Sequence, residues 1–135
     1  MDIIYNPFQK LGPDDIPRPW LPIVINNPHT GKEVPVYGLI DTGADECAIP
    51  AGYAPLLGHD LLKGEQTVIK TGNGETIAYK HTLCLKFDDV VVGNVLIDFM
   101  PNLPVVLLGV ANFLSHFILT VDYQKSEFSL KKHTK

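Results

Sequence analysis

From Leu21 to Lys131 the chain is a succession of short apolar or alternating segments cut by clusters of glycine, proline, asparagine and aspartate. Segments of that length and period bury a face as strands and are too short for stable amphipathic helices, so the pattern predicts an all-β domain. Leu21–Asn26 and Glu33–Ile40 flank the turn-rich stretch from Asn26 to Lys32 and read as one hairpin. Glu65 to Phe87 reads as a second, longer hairpin, with Gly72 and Gly74 supplying a tip that tolerates positive φ. Further strands are expected near Cys47–Pro50, over Val90–Met100 and Val105–Leu108, and over Phe117–Asp122 and Glu127–Lys131 around a polar turn. Tyr53–Leu62 has room for a helical turn, and Val110–Ser115 carries apolar residues at helical spacing, which predicts one short helix late in the chain.

At 135 residues the chain can bury one modest core but is short for two. Residues 1–20 contain Pro7, Pro13, Pro17 and Pro19, which remove backbone donors and fix φ; an extended arm is expected there, with a single domain over 21–135. The net charge of −4 lacks the basic footprint of a nucleic-acid or anionic-membrane partner, so neither is expected. The longest apolar run, Val90–Met100, is interrupted by Gly93, Asn94 and Asp98 and falls short of a membrane span. The first residues lack the basic start and continuous apolar stretch of a secretory signal, which points to the cytoplasm. Cys47 and Cys84 form neither a CxxC pair nor a disulfide framework and are expected as buried, reduced thiols.

The segment Leu39-Ile40-Asp41-Thr42-Gly43-Ala44-Asp45 places a carboxylate directly after an apolar strand, where water is scarce and ionisation is costly. Asp and Gly at a strand end also make Asx turns, and three residues alone would need no other explanation. The context adds weight: a glycine-bearing hairpin follows, and then Val105-Val106-Leu107-Leu108-Gly109 leading into the helical pattern. Other chemistries find little support. The five histidines, His29, His59, His81, His116 and His133, show no paired metal-ligand spacing and read as solvated or loop residues, so no metal is expected. Ser115-His116 lacks a nucleophile elbow, and Thr71–Glu75 lacks the Lys-Ser/Thr of a phosphate loop.

This order of parts resembles the retropepsin family, the retrovirus-type aspartic proteases and their single-lobe cellular and bacterial relatives, over roughly Arg18 to Leu130. The resemblance implies a closed β-barrel-like acid protease lobe with one short C-terminal helix, active as a homodimer. It implies that Asp41 is catalytic, that Thr42 hydrogen-bonds across the dimer beneath the site, and that the backbone of Gly43 contacts substrate. Ala44 and Asp45 would line the substrate groove. Thr71, Gly72, Asn73 and Gly74, with Glu75, would form the flap that closes over the bound peptide. Leu107-Leu108-Gly109 would pack behind the catalytic loop. Two departures stand out: retroviral enzymes usually carry Arg after the second-motif glycine, where Val110 stands here, and the flap is more polar, with Lys70, Asn73 and Glu75 near its tip.

What this resemblance implies is an aspartic endopeptidase acting on polypeptides, with water as the only co-reactant and no metal or cofactor. Two close carboxylates share one proton, the charged one activating water and the protonated one polarising the peptide carbonyl. One chain carries one Asp-Thr-Gly, so the second aspartate must come from a partner across a twofold axis. The alternative is a catalytically silent retropepsin-like module that binds peptides or dimerises. The arm would be either a leader trimmed by the enzyme or a strand completing the dimer interface.

Overall fold

A computed structural model describes residues 3–133, with the backbone alone for Ile3, Ile4 and Thr71. In chain order its strands are β1 (Ile3–Pro7), β2 (Trp20–Asn26), β3 (Glu33–Ile40), β4 (Ala48–Pro50), β5 (Glu65–Thr71), β6 (Gly74–Phe87), β7 (Val90–Met100), β8 (Val106–Leu108), β9 (Phe117–Asp122) and β10 (Glu127–Lys132). A single α-helical turn, α1, spans Tyr53–Leu56, and 3-10 turns span Leu61–Lys63 and Leu114–His116. Near the start of the chain, Ile3–Pro7 pairs with β10 of its own chain, and Gln9 pairs with Arg18.

The hairpins form where the turn chemistry predicts. Between β2 and β3, Asn27 Oδ1 accepts the His29 N–H at 2.9 Å and Gly31 adopts φ +75°, which a residue with a Cβ would resist. Strands β2, β3, β8, β4, β7 and β6 are hydrogen-bonded in that order, and β6 returns to β2 through Val24–Lys86, Ile25–Leu85 and Asn26–Cys84, closing a six-stranded barrel. Closure removes the exposed edges that an open sheet would leave. β6 can serve three partners because of its length: Gly74–Lys80 pairs with β5 as the projecting hairpin, and Tyr79–Phe87 continues along β7 and reaches β2. A bulge between Leu83 and Leu85 bends it on the way.

Alternation fills the barrel with Leu21, Ile23, Ile25, Ile49, Leu83, Leu85, Ile97 and Phe99, all buried. A separate sheet, β1-β10-β9, is covered from the barrel side by Phe128 and Leu130, and Phe8 packs on Tyr123 and Phe128. The late helical pattern is realised as turns ending in the Leu114–His116 3-10 turn. Phe113 has φ −138° and ψ −65°, outside the helical region, because its buried ring packs with Phe87 and Phe117 at centroid distances of 5.7 and 5.2 Å. Burying three phenyl rings outweighs completing a short helix that would be marginal by itself.

Two expectations from composition need correction. Cys84 is only half-buried, since the core-facing Leu83 and Leu85 on either side turn it outward. His59 and His81 are not loop-solvated: their rings stack at 4.5 Å, both contact Phe99, and their Nε2 atoms lie 3.0 and 2.9 Å from the carbonyl oxygens of Thr82 and Leu61. Burial first, and then the neighbouring His81, hold His59 below its ordinary value of 6.5, despite the opposing bond to Thr82. A depressed folded pKa favours the neutral ring, so this stabilisation is complete above pH 6.5 and is lost as pH falls through the folded value. Thermal melts of wild type and His59→Phe across this range are expected to show a steeper loss of Tm on acidification for wild type.

Candidate active site

Two sequence segments meet as neighbouring parallel strands. β3 and β8 pair in register, Gly38 with Val106, Leu39 with Leu107 and Ile40 with Leu108, and the Asp41 N–H then donates to Leu108 O at 3.1 Å. Asp41 therefore leaves the barrel beside Gly109. The chain reverses at once: the Gly43 N–H donates to Asp41 Oδ1 at 3.0 Å and the Ala44 N–H to Asp41 O at 3.2 Å. This is the Asx turn that Asp and Gly make locally, and it orients the carboxylate through one of its oxygens.

The second segment crosses behind the first. Val110 and Ala111 donate their N–H groups to Ala44 O and Asp45 O at 2.9 and 2.7 Å. At the crossing, a Cβ on Gly109 would stand 2.4 Å from the carbonyl carbon and oxygen of Glu46, so no side chain fits. Cys47 and Asn112 pin the next turn. The Gly109 N–H donates to Cys47 Sγ at 3.3 Å, the Cys47 N–H to Asn112 Oδ1 at 2.8 Å, and Asn112 Nδ2 to Leu96 O at 3.0 Å. Burial pushes the Cys47 thiol up to about 12; the Gly109 N–H opposes this, while Asp98 and Glu46 add to it.

A cleft of 520 Å³ opens beside this loop. Gly43, Ala44, Asp45 and Glu46 form one wall and residues 67–70 of β5 the other, with Ala48, Asp98, Met100, Leu103 and Leu107 completing the lining. Among the residues singled out from sequence, Gly43, Ala44 and Asp45 line the cleft; Asp41, half-buried, stands just before them. Thr71, Gly72, Asn73 and Gly74 form the hairpin tip, with Gly74 at φ +111°, and lie outside the lining. A second groove of 490 Å³ along β2, β3 and the end of β6 contains none of them. Among the described residues no group of three or more His, Cys, Asp or Glu side chains gathers as a metal site.

Sequence reading missed Lys80, Asp98 and Asn112. Lys80 Nζ contacts both oxygens of Glu46 and reaches Asp98 Oδ1 at 2.8 Å. Burial raises the Asp98 carboxyl above its ordinary value, and the Lys80 hydrogen bond only partly offsets this. Burial would lower Lys80, but its bonds to Asp98 and Glu46 win and raise it. Asp98 had a signal available, as a lone acid inside the apolar run Val90–Met100 implies a buried partner.

Comparison with known proteins bears on this arrangement. A model of the family described as "gag-polyprotein putative aspartyl protease" matches residues 30–116. The chain belongs to the retropepsin-like aspartic protease family. A retropepsin-like aspartic protease from Rickettsia conorii superposes with a TM-score of 0.70 at 25% identity, covering 96% of this chain and 99% of that one. The EIAV protease, solved with the inhibitor HBY-793, shares the fold with a TM-score of 0.51 at 21% identity, over 75% of this chain and 88% of its own. No curated protein matches in sequence. Val110, which stands where retroviral enzymes usually carry Arg, ties the second segment to Ala44 through its N–H. Among the described residues no helix is long and apolar enough to cross a membrane.

Gly109→Ala is expected to cost about 3 kcal/mol or more, read from urea unfolding, because backbone rather than a movable side chain blocks the new methyl. Cys47 should resist thiol reagents in the folded protein and label only after denaturation, whereas half-buried Cys84 should label first.

Proposed function

We propose that this chain is an aspartic endopeptidase that works as a homodimer, with Asp41 of each subunit forming the catalytic pair. The observation that carries the reading is the β3–β8 pairing, which sets the Asp41 turn beside Gly109 at one end of a cleft walled on its far side by β5. Family membership supports the same chemistry. A lone Asp41 cannot both activate water and donate to the carbonyl, so the reading requires a second copy of the turn across a twofold axis.

In that pair one carboxylate takes a proton from water while the other, protonated, polarises the peptide carbonyl. The Gly43 N–H holds one oxygen of Asp41, which limits rotation of the carboxylate. Thr42 is assigned a supporting bond across the dimer, and Gly43, Ala44 and Asp45 contact with the substrate backbone. Thr71, Gly72, Asn73 and Gly74 are assigned closure over the peptide, which would lie extended and pair with the loop on one side and the hairpin on the other. Polypeptide is the substrate class, and water the co-reactant.

Digestion of a diverse peptide library between about pH 4 and 7, read by mass spectrometry, tests this. Asp41→Asn is expected to lower the rate on the order of 10²–10⁴-fold while leaving the fold intact. Wild-type rate should rise more than linearly with enzyme concentration when dilute, and should decline toward alkaline pH as both carboxylates lose their shared proton. Peptide binding without turnover, equal in wild type and variant, would instead favour the silent module.

A further inference from the structure

The cleft wall holds an ion triad that the Asp-Thr-Gly machinery does not use. Lys80 sits on β6 at the base of the projecting hairpin, opposite Glu65 in the strand register. Its ammonium lies 2.9 and 3.2 Å from the two Glu46 oxygens and 2.8 Å from Asp98 Oδ1. An ammonium has three donors, so Lys80 has none left for a ligand. With both carboxylates ionised, two against one ammonium leave one negative charge in excess.

Exposure decides where that excess is felt. The side chain of Asp98 is 3% exposed, that of Lys80 17% and that of Glu46 42%, so Glu46 is the member that presents lone pairs to whatever enters the cleft. Glu46 and Asp98 line the cleft, as does Asp45 beside them, whereas Lys80 does not. Across the opening, Lys70 is the one cationic residue among the described lining residues, and it is exposed on β5, where water and salt screen it. The remaining walls are apolar, chiefly Ile69, Met100, Leu103 and Leu107.

Resting on the protease reading, we infer that the Lys80–Glu46–Asp98 triad sets the charge preference of this part of the cleft. It selects peptide side chains that carry a hydrogen-bond donor on an apolar stem, such as lysine, arginine or glutamine, over aspartate and glutamate. The stem covers Met100 and Leu103 while the head meets the open oxygens of Glu46. A carboxylate in the same place faces like charge and finds no free donor on Lys80. Glu46 is the contacting residue. Lys80 is a positioning residue: it acts through Glu46 by holding that carboxylate against the wall and cancelling one of the two charges.

The test starts from any peptide that the protein cleaves and places Lys, Gln or Asp singly at each position flanking the cut. At one or more positions wild type is expected to favour Lys and Gln over Asp by about tenfold in kcat/KM. Glu46→Gln, which removes the excess charge at a half-exposed site, should compress that ratio to about twofold. Lys80→Arg should preserve it, and Lys80→Met, where it folds, should widen it. A purely structural role would lower all substrates by one common factor, and an unchanged ratio in folded Glu46→Gln would overturn the inference while leaving the protease reading intact. If wild type cleaves nothing, the same ratio is read from peptide Kd by fluorescence anisotropy. A preference for Lys over Asp that depends on Glu46 would then sustain the inference without the catalysis, and absence of any peptide binding would defeat both.

Discussion

The contact on which the site depends is the close passage of Gly109 behind Glu46. With a Cβ excluded at 2.4 Å, the two backbones approach until Val110 and Ala111 can donate to Ala44 and Asp45, and the Asp41 turn is held from behind by peptide groups. Backbone hydrogen bonds between two crossing loops define position more tightly than side-chain contacts would, because neither donor nor acceptor has rotamers to explore. The parallel pairing of β3 with β8 brings the loops together, and the Cys47–Asn112–Leu96 relay keeps the far side of the turn from opening.

The same stretch of chain also builds the cleft wall, so the Asp41 turn and the cleft surface are not independent. Glu46 contributes its backbone to the Gly109 contact and its side chain to Lys80. Lys80 in turn belongs to β6, which carries the projecting hairpin, and Asp98 belongs to β7, which pairs with β4. A buried lysine and aspartate contribute little net stability, since desolvation cancels most of the attraction, but removing one partner strands the other charge. They also tie the base of the hairpin, the barrel wall and the loop after the Asp-Thr-Gly turn at one point.

Much of this was legible beforehand, for reasons that differ by element. β2 and β3 followed from alternation on either side of Asn27 and Gly31, and β5 and β6 from the Gly72–Gly74 tip, because turn chemistry is local. Asp41, Gly109 and the intervening hairpin were found through their order, and the structure sets Asp41 and Gly109 side by side with β5 across the cleft. Lys80 was invisible because a lysine in an alternating strand looks like any solvent-facing residue until its partners arrive from β7 and the loop. The His59–His81 stack joins the segment after α1 to β6, and neither residue has a local pattern that announces it. The apolar spacing of Val110–Ser115 suggested a helix, but Phe113 and Phe117 needed the Phe87 ring more than the chain needed one more helical turn.

By itself, then, the sequence determined the strands, their turns and the all-β class, and it marked Asp41 as a carboxylate at a strand end, since period, glycine placement and an acid after an apolar run are properties of neighbours in the chain. Tertiary structure alone decided which charges face each other, which thiol and imidazoles are withdrawn from water, and which hairpin residues wall the cleft rather than merely tip it. Those outcomes depend on groups distant in sequence meeting at short range. Lys80 meets Glu46 and Asp98 only because a six-stranded barrel closes around them.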